Sequence, residues 1–423
     1  MIFDFSTSKD QSKFLNNIIQ PFLKEEVEDN PFAKYMGKTA DSMITIKKSV
    51  AKGEGTTLVF SLSQYRNVNE VYGEETLQGK GTFETPVNTT MTLGKTRFAV
   101  MAKDFDIAEY QTKFHFNDEL NRQIRNKHLD LIVRRIVNQF AWCFAHGEKA
   151  NQDWKTYDYR PRAGQANSDF VNFFTSRMQS CSINQLDANG NGLNSNRVLF
   201  GAEPVSNVIV AGQTVQQRCL VGQPGANANI GTADYVQGTS GYANIDHITK
   251  LKYMARIGGR KLNTDCRINP LAMSSWNGSQ NEIYVYFISP SVEARLLNDP
   301  RVQSLLSRAL IEDPRQPSYF NGSHYVGRIK GVDIVTIDEF ENMNIVNAAG
   351  NGVGYGVFCG AGAIASAICS EPKFTYQEDD HGNQKEIGIT LIDGLKSIKF
   401  PSKLNPTTVP PLEYGMIHSF TLI

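Results

Sequence analysis

Hydrophobic positions along the chain fall into blocks whose period changes, and the period assigns each element. Between residues 14 and 23, Phe14, Leu15, Ile18, Ile19, Phe22 and Leu23 keep helical spacing. Glu25, Glu26, Glu28, Asp29, Asn30 and Pro31 then break it. A single short amphipathic helix does not stabilise itself, so this arm must dock on its own domain or on a neighbouring chain. Residues 56–68 and 88–102 change to period two. Leu58, Phe60 and Leu62 alternate with Val59, Ser61 and Ser63, and Met91 and Leu93 alternate with Thr90 and Thr92. Between the two runs lies a polar stretch carrying Gly73, Gly79 and Gly81. The pattern predicts a long two-stranded hairpin with a glycine-rich tip. Such a ribbon is marginal by itself, so it is expected to lie against a partner surface.

The next block is the strongest helix signal in the chain. Asn117 or Asp118 is the expected N-cap, and Gly147 the expected stop. Apolar residues recur at Leu120, Ile124, Leu131, Ile132, Ile136, Phe140 and Phe144, with His128 in register. At 1.5 Å per residue this is about 45 Å of helix, a structural spine for a domain. Ile124, Ile132, Ile136 and Phe140 are its expected buried stripe. Arg122, Arg125, Lys127, Arg134 and Arg135 read as a solvated face balanced by Asp118, Glu119 and Asp130, with a phosphate-facing surface as the lesser alternative.

Residues 148–245 are rich in Asn, Gly, Gln and Ser and predict long loops with short strands at 197–200 and 207–210. Asp246 then caps a helix ending at Gly258-Gly259. A strand at 282–288 runs into Ser289-Pro290, a cap with proline in the first turn, and Asp299-Pro300 repeats that start signal. Two short strands flank Gly331. The order strand–helix–helix–loop–strand predicts a compact α/β block over 246–345. From Tyr355 the chain alternates strands and turns: a buried small-residue run to Cys369, an acidic turn at 377–384, strands at 385–392 and 393–400, and a last strand over MIHSFTLI.

Composition narrows the function. Lys+Arg and Asp+Glu are each 43, so the net charge is zero, which argues against a dedicated nucleic-acid binder and against an acidic or disordered tail. The six cysteines, at 143, 181, 219, 266, 359 and 369, show no C-x-x-C pair and are expected to be free thiols. The opening MIFDFSTSKD has no signal-peptide pattern, and no apolar run reaches the ~20 residues of a membrane helix. The expectation is a soluble protein made in the cytosol, with no membrane partner.

Candidate chemistry does not survive inspection. GEETLQGKG at 73–81 has five residues where a Walker loop needs four, and Gly81 where it needs Ser or Thr. DANGNG at 187–192 begins like a calcium loop, but Val198 stands where the bidentate Glu belongs. GNGVGYG at 350–356 fits no register of G-x-G-x-x-G. Asp379, Asp380 and His381 are explained by turn chemistry. No catalytic, cofactor-binding or metal-binding constellation is present in the sequence, and the expectation is a protein that is not an enzyme and takes no cofactor. Two other readings are a carbohydrate-binding or other surface module, suggested by the 148–245 loops, and a hydrolase using the 379–381 cluster.

Five phrases, in order, carry a family resemblance. GEGTTLVFSLSQYRNVNEVYGEETLQGKGTFE (53–84), SNRVLFG (195–201), NEIYVYFISPSVEARLLND (281–299), FNGSHYVGRIKGVDIV (320–335) and DDHGNQKEIGITLIDGLKSIKF (379–400) resemble the major capsid proteins of tailed phages with the Hong Kong 97-type fold, most of all the N-four-like podovirus branch. The loop 148–194 and the tail from 401 depart from that pattern.

The resemblance implies an α+β fold in five parts: an N-terminal arm (1–45), an extended-loop β-hairpin (46–115), a peripheral domain with spine helix and inserted loops (116–245), an axial α/β domain (246–345), and return strands of the peripheral domain (346–423). It implies hexamers and pentamers of this chain forming an icosahedral virion shell around double-stranded DNA contacted non-specifically, with assembly in the host cytoplasm. Portal protein, a separate scaffolding protein and decoration proteins are the implied partners. In that setting Gly73, Glu74, Lys80 and Phe83 at the hairpin tip are the expected contacts on a neighbouring subunit. The polar loop 311–318 is expected near a capsomer axis, with Tyr319 and Phe320 anchoring its end.

Overall fold

The structure is a computed structural model. It describes residues 30–39, 41–48, 57–62, 72, 76, 78, 87–103, 116–145, 198–200, 207–210, 213–216, 242–257, 267–271, 282–305, 324–346, 352–379, 384–400 and 412–423.

Two sheets and one long helix form the framework. The first sheet has five strands: β1 (Met36–Gly37), β2 (Ile44–Lys48), β14 (Ile364–Asp379), β15 (Gln384–Ser397) and β5 (Gly94–Lys103), in that spatial order. Its main body is the β14–β15 hairpin, whose strands have 16 and 14 residues. The sequence pattern divided β15 into two strands at Asp393-Gly394. The strand runs through both, because Asp393 and Gly394 pair with Ile368 and Ala367 of β14.

The second sheet has seven strands: β10 (Tyr325–Ile329), β11 (Val332–Thr336), β9 (Tyr284–Ile288), β13 (Gly352–Cys359), β18 (Met416–Leu422) and β6 (Val198–Phe200), with β12 (Ile345–Val346) joining β13 from the side. β9 and β11 pair in parallel, and every residue of both is buried. Sheets covered on both faces give such continuous apolar runs. On one face Tyr284, Tyr286 and Ile288 pack under α2 (Ile245–Ile257) and α3 (Pro290–Leu297). On the other, Phe287 meets Phe32 at 5.1 Å, Tyr35 at 5.7 Å and Phe140 at 5.9 Å. This sheet crosses the expected boundary at 345/346: β13 pairs with β9 of the 246–345 block, β18 pairs with β13, and β6 joins β18 from the 148–245 segment.

Local chemistry explains the element ends. The α2 cap is Asn244, whose Oδ1 accepts from the His247 backbone N–H at 2.8 Å, so Asp246 lies in the first turn and not at the cap. Ser289 caps α3 as its sequence predicts, its Oγ accepting from Val292 N–H, with Pro290 in the first turn. Helix resumes after Asp299-Pro300 over 300–305. The β10–β11 turn is Lys330-Gly331, both with positive φ (50° and 80°), the geometry of a two-residue hairpin turn. Lys330 is held in this left-handed conformation by its own carbonyl, which accepts from Lys252 Nζ at 2.6 Å.

The long helix α1 spans Phe116–Ala145, 30 residues, as its spacing predicts. It starts at Phe116, which puts Asn117 and Asp118 in the first turn instead of at the cap. The expected 56–68/88–102 hairpin is shorter than its alternation suggests. β3 (Thr57–Leu62) pairs with β4 (Val87–Thr92), and the chain breaks at Leu93 before β5 enters the five-stranded sheet. β7 (Asn207–Val210) and β8 (Gln213–Gln216) form a separate hairpin, and β16 (Lys399–Phe400) pairs with β17 (Leu412–Glu413). β8 carries no apolar alternation and was invisible in the sequence. Among the described residues no helix is long and apolar enough to cross a membrane.

Candidate functional site

The spine helix joins the two sheets, and its faces show how. Ile124, Ile136 and Phe140 are buried as expected, together with Val133 and Val137. Ile132 is only half-buried, because the buried stripe passes over Val133 and Ile136 instead. Phe140 reaches the seven-stranded sheet through Phe287 and stands edge-on to Phe340 at 6.0 Å. The opposite contact is with the five-stranded sheet, where His128 stacks on Phe98 of β5 at 6.5 Å and Gln139 Oε1 accepts from Ser397 N–H of β15 at 3.3 Å.

Arg135 departs most from the sequence reading. It is buried, not on a solvated face. One guanidinium nitrogen donates to Asp393 of β15, and Nη2 donates to Thr96 Oγ1 of β5 at 2.6 Å. Burial lowers its pKa, while Asp393 opposes that shift. The missed signal was spacing. Arg135 is seven residues after His128 and four before Gln139, so all three share a helix face.

The arm end is fixed on its own chain. Phe32 and Tyr35 are buried against Phe287, and Lys34 Nζ lies 4.8 Å from the centre of the Tyr325 ring. Burial, with the charge of Asp333 adding to it, pushes the Tyr35 phenol far above its ordinary value. Asp333 itself accepts from Arg328 Nε at 2.5 Å and Tyr325 OH at 3.2 Å.

The hairpin also has an anchor on its own chain. Leu58, Phe60 and Met91 pack with Ala365, Ala367, Ile398 and Tyr414. The surface expected under the ribbon is thus in part supplied by its own chain, at residues distant in sequence. Gly73, Glu74, Lys80 and Phe83 lie outside the described residues. Of the tip residues that are described, Tyr72 is 75% exposed and Thr76 and Gln78 are exposed. The loop 311–318 and Tyr319–Phe320 also lie outside the described residues.

Two buried polar chains could be mistaken for catalytic groups. On the helix side of the seven-stranded sheet, Ser419 Oγ sits 2.6 Å from His247 Nε2 and 2.9 Å from Tyr286 OH. Burial lowers the His247 pKa to about 3, with Lys250 adding to the shift, so the ring is neutral at pH 7. On the other side, Tyr355 OH is 2.8 Å from His418 Nδ1, and His418 Nε2 is 2.6 Å from Glu413 Oε2. Carboxylate, imidazole and hydroxyl stand in the order of a hydrolase relay. All three are buried, however, and the tyrosine is packed between Phe340 and the imidazole. Both chains satisfy polar groups inside the fold, as buried polar groups must be. Asp379 ends β14, while Asp380 and His381 lie outside the described residues. Among the described residues no three His, Cys, Asp or Glu side chains cluster as a metal site would need. Cys359 is a buried free thiol.

Among the described residues, a spine helix bridges two sheets and the β3–β4 hairpin packs on the five-stranded one. The phage capsid protein family matches residues 18–419, and the chain belongs to it. Membership places the protein in the virion capsid shell. The fold is shared with solved capsids. The capsid protein of Ralstonia phage GP4 aligns with a TM-score of 0.61 at 14% identity, covering 92% of this chain and 89% of that one. That of cyanophage Pam1 aligns with a TM-score of 0.61 at 16% identity, covering 94% and 93%. The acid-stable capsid structure of Helicobacter pylori bacteriophage KHP30 gives 0.52 at 13% identity, covering 93% and 92%. No curated protein matches the chain significantly.

Proposed function

We propose that this chain is the major capsid protein of a tailed phage, of the Hong Kong 97-type architecture and the N-four-like podovirus branch, and that it assembles into hexamers and pentamers of an icosahedral head around double-stranded DNA. In this reading the five-stranded sheet with α1 is the peripheral domain, and the seven-stranded sheet with α2 and α3 is the axial domain. The family match from residue 18 to 419 carries the proposal, because it takes in arm, hairpin, spine helix and both sheets. The geometry supports it. Among the described residues the hairpin is anchored through Leu58, Phe60 and Met91, and Tyr72, Thr76 and Gln78 are exposed. Gly73, Glu74, Lys80 and Phe83 are, in this reading, the hairpin residues that bind the next subunit of a ring. Zero net charge lets many copies pack without accumulated repulsion. A portal, a separate scaffolding protein, decoration proteins and non-specific contact with DNA are the partners this reading expects, in the host cytoplasm during assembly.

Replacing residues 70–84 by a short Gly-Ser turn tests it. The expected product is a soluble, folded subunit that forms no shells under negative-stain microscopy, where the unaltered chain forms shells, tubes or rings. Normal shells from the shortened chain would sink the proposal.

A further inference from the structure

The two ends of the parallel pair β9–β11 carry opposite charge. Where both strands begin, four cations gather round one carboxylate. Arg256 Nε lies 2.9 Å from Glu282 Oε2, and Arg267 Nη2 lies 2.8 Å from Glu282 Oε1. Lys252 Nζ donates to the Lys330 carbonyl, and Lys330 Nζ donates to Thr249 Oγ1 at 3.0 Å. Thr249, Lys252, Tyr253 and Arg256 stand at i, i+3, i+4 and i+7 of α2 and share one face. That face is open: Tyr253 is 56% exposed, and Arg256 and Lys330 are exposed. Burial lowers the Lys252 pKa, Glu282 opposes the shift and Arg256 adds to it, as crowded cations do.

Where the strands end, the sign reverses. Thr336 of β11 pairs with Ile288 of β9, and the short 3-10 helix Asp338–Met343 follows. It carries Asp338, Glu339 and Glu341, of which Asp338 and Glu341 are exposed. Glu293 of α3 joins them, accepting from Thr336 Oγ1 at 2.7 Å, and Glu341 accepts from Ser291 N–H at 3.2 Å. These donors are neutral, and among the described residues none of the four carboxylates is in an ion pair. Arg295, two residues from Glu293, lies instead over the Tyr242 ring at 5.1 Å. The strand from Glu282 to Ile288 holds the two ends roughly 20 Å apart.

We infer that the basic end of one copy docks on the acidic end of the next, head to tail, and that this contact makes ring assembly sensitive to salt. The inference rests on the shell-forming reading and names one of its contacts. The chain carries both halves of the contact on opposite ends of one rigid block, so it cannot satisfy them by itself. A second copy can, and two complementary but different patches on one molecule make a heterologous contact that closes by rotation. Ion pairs at such a contact steer encounter and reject wrong registers, and salt screens them.

The test uses the full chain. Arg256→Glu with Lys330→Glu makes both ends acidic, and Asp338→Lys with Glu339→Lys makes both ends basic. Each pair alone should cut the yield of rings and shells at least about tenfold, with the thermal midpoint of unassembled subunits unchanged. All four substitutions together should restore the yield. An equal mixture of the two paired variants can alternate around a ring of six but not around a ring of five. Negative-stain images of the mixture should therefore show six-membered rings, tubes or flat sheets without five-membered rings. Normal yield from either paired variant alone, or five-membered rings from the mixture, would overturn the contact and leave the capsid reading intact. A folded fourfold variant that stays unassembled would overturn it too. Failure of the unaltered chain to assemble overturns both. The unaltered chain gives a readout that does not depend on how the variants fold. Its initial assembly rate, followed by light scattering, should fall at least about tenfold between roughly 0.05 and 0.5 M salt. A rate that holds or rises with salt would overturn the proposal.

Discussion

Acid should weaken the subunit through His247, and the effect can be isolated. The ring is buried between Ser419 and Tyr286, with Lys250 the charge that acts on it. Its pKa in the folded protein is about 3, against an ordinary 6.5. The unfolded chain therefore binds the proton more tightly, and stability is full above pH 6.5 and falls as the pH drops toward 3. Each pH unit in that window costs a little over ~1 kcal/mol, so at pH 4.5 the loss is roughly 3 kcal/mol. Against a total of about 5–15 kcal/mol this is large. With a urea slope of about 2–3 kcal/mol/M it moves the midpoint by about 1 M. Carboxylates titrate in the same range, so the measurement must be a difference. His247→Gln keeps a polar group opposite Ser419 but cannot take up the proton. Urea midpoints of unassembled subunits at pH 7 and pH 4.5 should fall about 1 M further for the unaltered protein than for His247→Gln. An equal fall in both proteins would show that the imidazole is solvated, and would refute the reasoning.

Other substitutions test the framework. Ile136→Asp buries an unpaired carboxylate beneath the spine helix, at a cost of several kcal/mol, and should give insoluble protein. Ile132→Asp, at a half-buried position, should stay largely soluble, and a solubility assay separates the two. Arg135→Leu leaves Asp393 without its main charge partner and should cost about 3–5 kcal/mol in urea unfolding. Arg135→Leu with Asp393→Leu together should recover most of that loss. Gly356→Ala sets a Cβ 2.9 Å from Tyr286 and 3.0 Å from the Phe287 carbonyl, and thermal unfolding should show a loss of about 1–3 kcal/mol.

What the sequence revealed were features with a local signature. α1 was legible because Ile124, Ile136 and Phe140 keep a 3.6 period over many turns. α3 was legible because Ser289-Pro290 is a start signal that acts within four residues. β9 and the strands around Gly331 were legible as apolar runs with turn punctuation. What stayed hidden depends on partners distant along the chain. Arg135 reads as a surface cation until Asp393, 258 residues later, is placed beside it. Leu93 looks like one more step of an alternating strand, and only pairing with β15 shows that the strand changes sheets there. The boundary at 345 followed chain order, whereas β13 and β18 follow hydrogen bonds. The β3–β4 hairpin was visible as an alternating ribbon, but its anchor on Ala365 and Ala367 was not.

The slot that β18 occupies has a consequence for how subunits are made. It lies between β13 and β6, and Ser419 from this strand completes the hydrogen bonds of both His247 and Tyr286. Residues 416–422 must therefore have left the ribosome before a sheet begun at β9, some 130 residues earlier, can close. A chain interrupted before Leu412 would present the naked edge of β13, an invitation to aggregate or be degraded.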